Sequence, residues 1–190
     1  MKKVIILIAA VVLVVSVLIG TRSDERLSEK QISALREQYP VYGDINKVNP
    51  LIEMVSVKTT LEEISKRADI FVYGEVTEEV PVQSIYSYAK FYGYKVRVFE
   101  DVKNKIAPGE EITIIANTEF KDYNPSLSKG MKVVVPVSEN KERYYFDVCV
   151  YYVTEDGFVL SAFDEKEYLD KEYSGIKVEK LLKILKKYPL

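Results

Sequence analysis

The stretch Phe91–Val102 (FYGYKVRVFEDV) changes character with a period of two. Tyr92, Tyr94, Val96 and Val98 fall on one side, Lys95 and Arg97 on the other. That period belongs to a strand with one face in a core and one in water. The signal recurs elsewhere in the chain. Ile70–Thr77 (IFVYGEVT) groups Ile70, Val72, Gly74 and Val76. Glu111–Asn117 (EITIIAN) aims Ile112 and Ile114 inward, Met131–Val137 is apolar, and Arg143–Thr154 reads as one long aromatic strand. Phe158–Phe163 pairs back onto it across Glu155-Asp156-Gly157, where Asp-Gly is a strong hairpin signal. Residues 78–90, with Pro81, read as a long connection or a hairpin. About six short, half-polar strands cannot leave their edges bare, so closure into a small barrel is expected.

Helices flank this β region. Thr60-Leu61-Glu62-Glu63 has the form of a capping box and opens a short helix with Leu61, Ile64 and Ala68 on one face. Lys177–Tyr188 places Val178, Leu181, Leu182 and Leu185 at helical spacing, with Lys183, Lys186 and Lys187 where the helix dipole favours cations. Residues 23–39 give an imperfect helical stripe of Leu27, Ile32, Leu35 and Tyr39 that Pro40 stops, and 40–58 read as loop.

The N-terminus is of a different kind. Lys2 and Lys3 precede Val4–Ile19, in which only Ser16 is polar, and Gly20 follows. Seventeen residues at 1.5 Å each reach about 25 Å, the short end of a membrane span. A cut after Gly20 would put Leu18 where signal cleavage wants a small residue, so an uncleaved anchor is the first reading and secretion after cleavage the second. The two lysines place the segment's start in the cytoplasm and residues 21–190 outside. The chain thus divides into a transmembrane segment (1–22), a juxtamembrane helix and loop (23–58) and a folded domain (59–190).

The order of the pieces resembles a known family. Thr60–Val76 (TLEEISKRADIFVYGEV), Tyr94–Val102, Gly109–Ile114, Lys129–Val137 and the helix 177–187 follow one another as in small bacterial surface proteins with an OB-like barrel. The pattern is similar to the module of netrins and tissue inhibitors of metalloproteinases. The resemblance implies a mainly β fold, an OB-like closed barrel with flanking helices. It does not carry over metalloproteinase inhibition, because those inhibitors chelate zinc through an N-terminal Cys and this chain has only Cys149.

Composition narrows the chemistry. With no His, every His-dependent triad is excluded, and one Cys rules out an internal disulfide or a Cys-based zinc site. Cys149, in an apolar run, reads as a small core residue. No cofactor and no metal site is expected. Without Lys2 and Lys3 the chain carries 25 basic against 29 acidic residues, which disfavours nucleic acid and, on net charge, an anionic lipid surface. A carboxylate-dependent hydrolase needs two acids converging in a cleft; Asp69, Glu75, Asp101, Asp122, Asp147, Asp156 and Asp164 fall mostly on turns and outward faces. The spacing Ser126-Leu-Ser-Lys129 matches two positions of a Ser-x-x-Lys motif without its partner motifs. The tyrosines are the more informative group. Tyr92, Tyr94, Tyr144, Tyr145 and Tyr151 are the candidate binding residues, for a surface protein or a cell-wall glycan. Core filling by the same rings is the competing reading. The expected function is a membrane-anchored extracytoplasmic binding domain.

Overall fold

Strand alternation builds a single sheet that closes on itself. The computed structural model describes residues 26–41, 61–86, 89–121, 124–140, 143–146, 150–162 and 173–188. Its strands are β1 (Ile70–Tyr86), β2 (Ala89–Asp101), β3 (Glu111–Asn117), β4 (Lys132–Asn140), β5 (Arg143–Phe146), β6 (Tyr151–Val153) and β7 (Val159–Ser161). They run in the order β1-β2-β3-β5-β4-β6-β7, and β1 also pairs with β4. The first five therefore form a closed barrel, and the β6–β7 hairpin extends the sheet beside β4. Every pairing is antiparallel except β3 with β5.

One expectation needs correction, and an open alternative is resolved. The long strand expected over 143–154 is two strands. β5 and β6 lie on the same edge of β4 at different heights, with Phe146 opposite Val137 and Tyr151 opposite Val134. The break follows from their other neighbours: β5 must meet β3 to close the barrel, whereas β6 must meet β7. Among the described residues the strands accordingly number seven, five of them in the barrel. Residues 78–90 read as a long connection or a hairpin, and 78–86 and 89–90 lie on the paired strands of a hairpin, since β1 runs on to Tyr86 and β2 begins at Ala89.

β4 shows how a proline is tolerated in a central strand. Val133, Val134, Val135 and Val137 are fully buried, so both faces of the strand are covered. The Val137 carbonyl accepts a hydrogen bond from the Asp69 N–H on the β1 side. Strand alternation then turns the Pro136 nitrogen to the opposite edge, at the gap where β4 changes partner from β6 to β5.

Three α-helices among the described residues close the body. α1 (Glu29–Leu35) has a full capping box: the Gln31 N–H donates to Ser28 Oγ and the Ser28 N–H to Gln31 Oε1. α2 (Leu61–Arg67) buries Leu61 and Ile64; Thr60, its expected cap, lies outside the described residues. α3 (Val178–Leu185) buries Val178, Leu181, Leu182 and Leu185, the four apolar positions read from its spacing. The segment assigned to a juxtamembrane position packs on the domain. Arg36 Nη1 donates to the Ser161 carbonyl at 2.6 Å, and the Tyr39 ring lies 5.6 Å from that of Tyr152. Among the described residues no helix is long and apolar enough to cross a membrane. The transmembrane segment expected over residues 4–20 lies outside them, as do Asp122, Asp147, Cys149 and Asp164.

Candidate interaction surface

The outer part of the β1–β2 hairpin exposes Glu78, Glu79, Pro81 and Val82. β1 pairs with β4 only over Ile70–Glu75. From Glu78 to Tyr86 it is paired with β2 alone, which leaves one edge of its backbone without a strand among the described residues. Register shifts at Val76/Glu78, Val80/Gln83 and Ser84/Tyr86 each place an extra residue on β1. Bulges of this kind raise the local twist and blunt an edge against uncontrolled pairing. Pro81 falls inside the second, where no ladder hydrogen bond is lost. Beside it, Val82 is 51% exposed; Val41 is the other large exposed hydrophobic among the described residues. At the base of this arm, Lys95 Nζ lies 2.7 Å from Glu78 Oε2, and Thr77 Oγ1 donates to Glu111 Oε2 at 2.8 Å. The hydrogen bond and charge of Lys95 hold the Glu78 carboxyl below its ordinary range, and Lys95 is raised in turn. Sequence reading missed this site because Pro81 demoted the run; the flanking Val80 and Val82 were its available signal.

The five candidate tyrosines do not share one face. Tyr92 and Tyr94 are each 5% exposed and meet Phe146 with ring centroids 6.0 and 6.3 Å apart. Their hydroxyls hold down the loop before β4. Asn124 Nδ2 donates to Tyr92 Oη at 3.0 Å, and the Leu127 N–H donates to Tyr94 Oη at 3.2 Å. Tyr151 is fully buried on β6. Tyr144 and Tyr145 are half-buried on β5, and Tyr145 meets the Phe91 ring edge-on at 5.9 Å. Only Tyr144 and Tyr145 present ring surface to solvent.

The tyrosine hydroxyls also make stability sensitive to alkali. Burial pushes Tyr92 well above the ordinary tyrosine value, opposed by the Asn124 hydrogen bond. Burial likewise raises Tyr39, Tyr73 and Tyr144, with smaller contributions from Glu155, Glu179 and Glu139 respectively. Above pH ~10 the unfolded chain has released a proton that the folded chain retains on Tyr92, so stability falls as pH rises, by up to about 1.4 kcal/mol per pH unit for this tyrosine; solvent screening makes the contributions of the more exposed Tyr39, Tyr73 and Tyr144 smaller. Tyr92→Phe should therefore flatten the alkaline slope by about one proton. It should also lower stability at neutral pH by about 1 kcal/mol through the lost hydrogen bond. Urea titrations in mild detergent across this range measure both, and identical slopes would refute the assignment.

The described residues include four of the acids named above, Asp69, Glu75, Asp101 and Asp156. Asp101 is 2% exposed, but both its oxygens accept backbone N–H groups. Asp69 Oδ2 accepts from the Glu139 N–H at 2.8 Å. Glu75 lies on β1 and Asp156 in the exposed β6–β7 turn. Ser126 and Lys129 are exposed. No group of three or more acidic or Cys residues suited to a metal occurs among the described residues. No protein-family model matches the chain, and no curated protein matches it significantly.

Proposed function

We propose that the chain is a single-pass, membrane-anchored extracytoplasmic protein whose OB-like barrel engages a surface or secreted protein through the β1–β2 arm. The observation that carries the binding mode is the open edge of β1 over residues 78–86 with Val82 exposed on it. An open strand edge takes an extended peptide by main-chain pairing, which the bulges and Pro81 confine here to the stretches between them, with pockets for alternate side chains. A glycan would need stacked rings, and three of the five candidate tyrosines are buried. The barrel order β1-β2-β3-β5-β4 with its parallel β3–β5 pair supports the OB-like reading. The anchor rests on Lys2, Lys3 and the apolar run 4–20.

In-cell crosslinking of the full chain, followed by mass spectrometry, tests the proposal. We expect a small, reproducible set of exterior proteins, reduced about ten-fold by Val82→Lys, which places a charge in the contact. Because Val82 is exposed, this change should leave the stability from urea titration within about 0.5 kcal/mol of the wild type. Capture unaffected by Val82→Lys would remove the arm from the proposal, and an empty capture would remove the protein partner.

A further inference from the structure

We infer that the exposed face of α3 docks on a bilayer surface rich in anionic phospholipid headgroups. The inference rests on the anchored reading above. Its first support is the place of Arg26 and Leu27, the first of the described residues. Arg26 Nε donates to the Ser174 carbonyl at 3.0 Å, and the Leu27 N–H donates to the Gly175 carbonyl at 2.9 Å. The tether is thus fastened to the two residues that lead into α3. Only residues 21–25 separate Arg26 from the apolar run that ends at Gly20. Even fully extended they reach about 20 Å. A domain of this size is roughly 40 Å across, so the tether holds the α3 end of the body close to the bilayer and the far end away from it.

The second support is charge. The exposed face of α3 and its C-terminal turn holds Lys180, Lys183, Lys186 and Lys187 against one acid, Glu179. Lys186 Nζ is engaged by Glu100 at 2.7 Å. Lys180, Lys183 and Lys187 follow at spacings of three and four, which places them on one side of the helix within about 10 Å. The net charge of −2 describes the whole chain. Attraction to a surface is decided by charges within a Debye length, about 8–10 Å, and there each lysine contributes separately. The geometry therefore brings a local basic face, on a chain of acidic balance, to the part of the domain nearest the headgroups.

Acylation footprinting of the full chain in lipid nanodiscs tests this. One set contains phosphatidylcholine alone and the other adds phosphatidylglycerol. Lys90 is the internal reference: it is exposed and lies ten residues along β2 from Glu100, roughly 30 Å away. We expect Lys180, Lys183 and Lys187 to react about five-fold more slowly in the anionic discs, with Lys90 unchanged and the difference lost in high salt. Equal rates in the two discs, with the chain bound to both, would overturn the docking and leave the anchor standing. A chain that elutes apart from both discs would overturn the anchor and the docking together.

Discussion

Asp101→Ala should destabilise the barrel by about 3 kcal/mol, one of the two largest effects expected in this chain. The carboxylate closes β2 at 2% exposure and organises the turn that follows. Oδ1 accepts the Lys103 N–H at 2.8 Å; Oδ2 accepts the Lys105 N–H at 2.6 Å and the Ile106 N–H at 3.0 Å. Charge-assisted acceptors of this kind are about twice as strong as neutral ones. Removing the side chain leaves three donors without their acceptor, one of them on the buried Ile106. It also releases a turn in which Asn104 adopts a positive φ of 55°. Asp101→Asn keeps one acceptor and should lose about half as much. Urea titration decides the matter: the midpoint should fall for both variants, further for Ala, with little change in slope. A loss below about 1 kcal/mol for Asp101→Ala would mean that water replaces the carboxylate in the turn.

What was legible in the sequence follows from what periodicity encodes. A period of two assigns faces, and the inward set Tyr92, Tyr94, Val96 and Val98 is buried. A period near 3.6 assigns a helix stripe, and Val178, Leu181, Leu182 and Leu185 are buried in α3. Asp156-Gly157 assigned a hairpin, with Gly157 at φ 78°. None of these signals names a strand's neighbours. Closure depends on the β1–β4 and β3–β5 pairs, which join residues far apart in sequence and leave no local mark. The break between β5 and β6 was hidden for the same reason, because an aromatic run looks alike whether its edge partner changes or not.

The tyrosines were ambiguous for a different reason. A phenol ring fills a core as well as a surface, and its hydroxyl needs only one partner to be buried. For Tyr92 and Tyr94 the partners come from Asn124 and Leu127, about thirty residues downstream, in a segment that reads as polar loop. The arm illustrates the converse. Pro81 is a strand breaker by local rules, yet a bulge absorbs it, and the strand continues to Tyr86. Where a local rule is broken, the exposed edge and Val82 are found, and the candidate site lies there.

Gly93→Ala should cost more than about 3 kcal/mol, for a reason alternation alone does not reveal. A Cβ at Gly93 would lie 2.3 Å from the Ile114 carbonyl oxygen and 2.9 Å from Ile115 Cγ2. The first of these is backbone, held in the ladder that pairs Phe91–Arg97 with Glu111–Asn117. It cannot yield unless β2 parts from β3, which is a seam of the closed barrel. Gly74 is in the same position, since its Cβ would lie 2.5 Å from the Arg97 carbonyl oxygen. Both glycines therefore mark close approaches between strands in a strongly coiled sheet. Gly157 is the control. It has a positive φ but nothing within 4 Å, so Gly157→Ala carries only the conformational penalty of about 1 kcal/mol. Pulse proteolysis in urea compares the variants even when little folded protein accumulates. If Gly93→Ala and Gly157→Ala lose equal stability, the β2–β3 approach is looser than the fold described here, and the barrel's closure does not depend on a missing side chain at position 93.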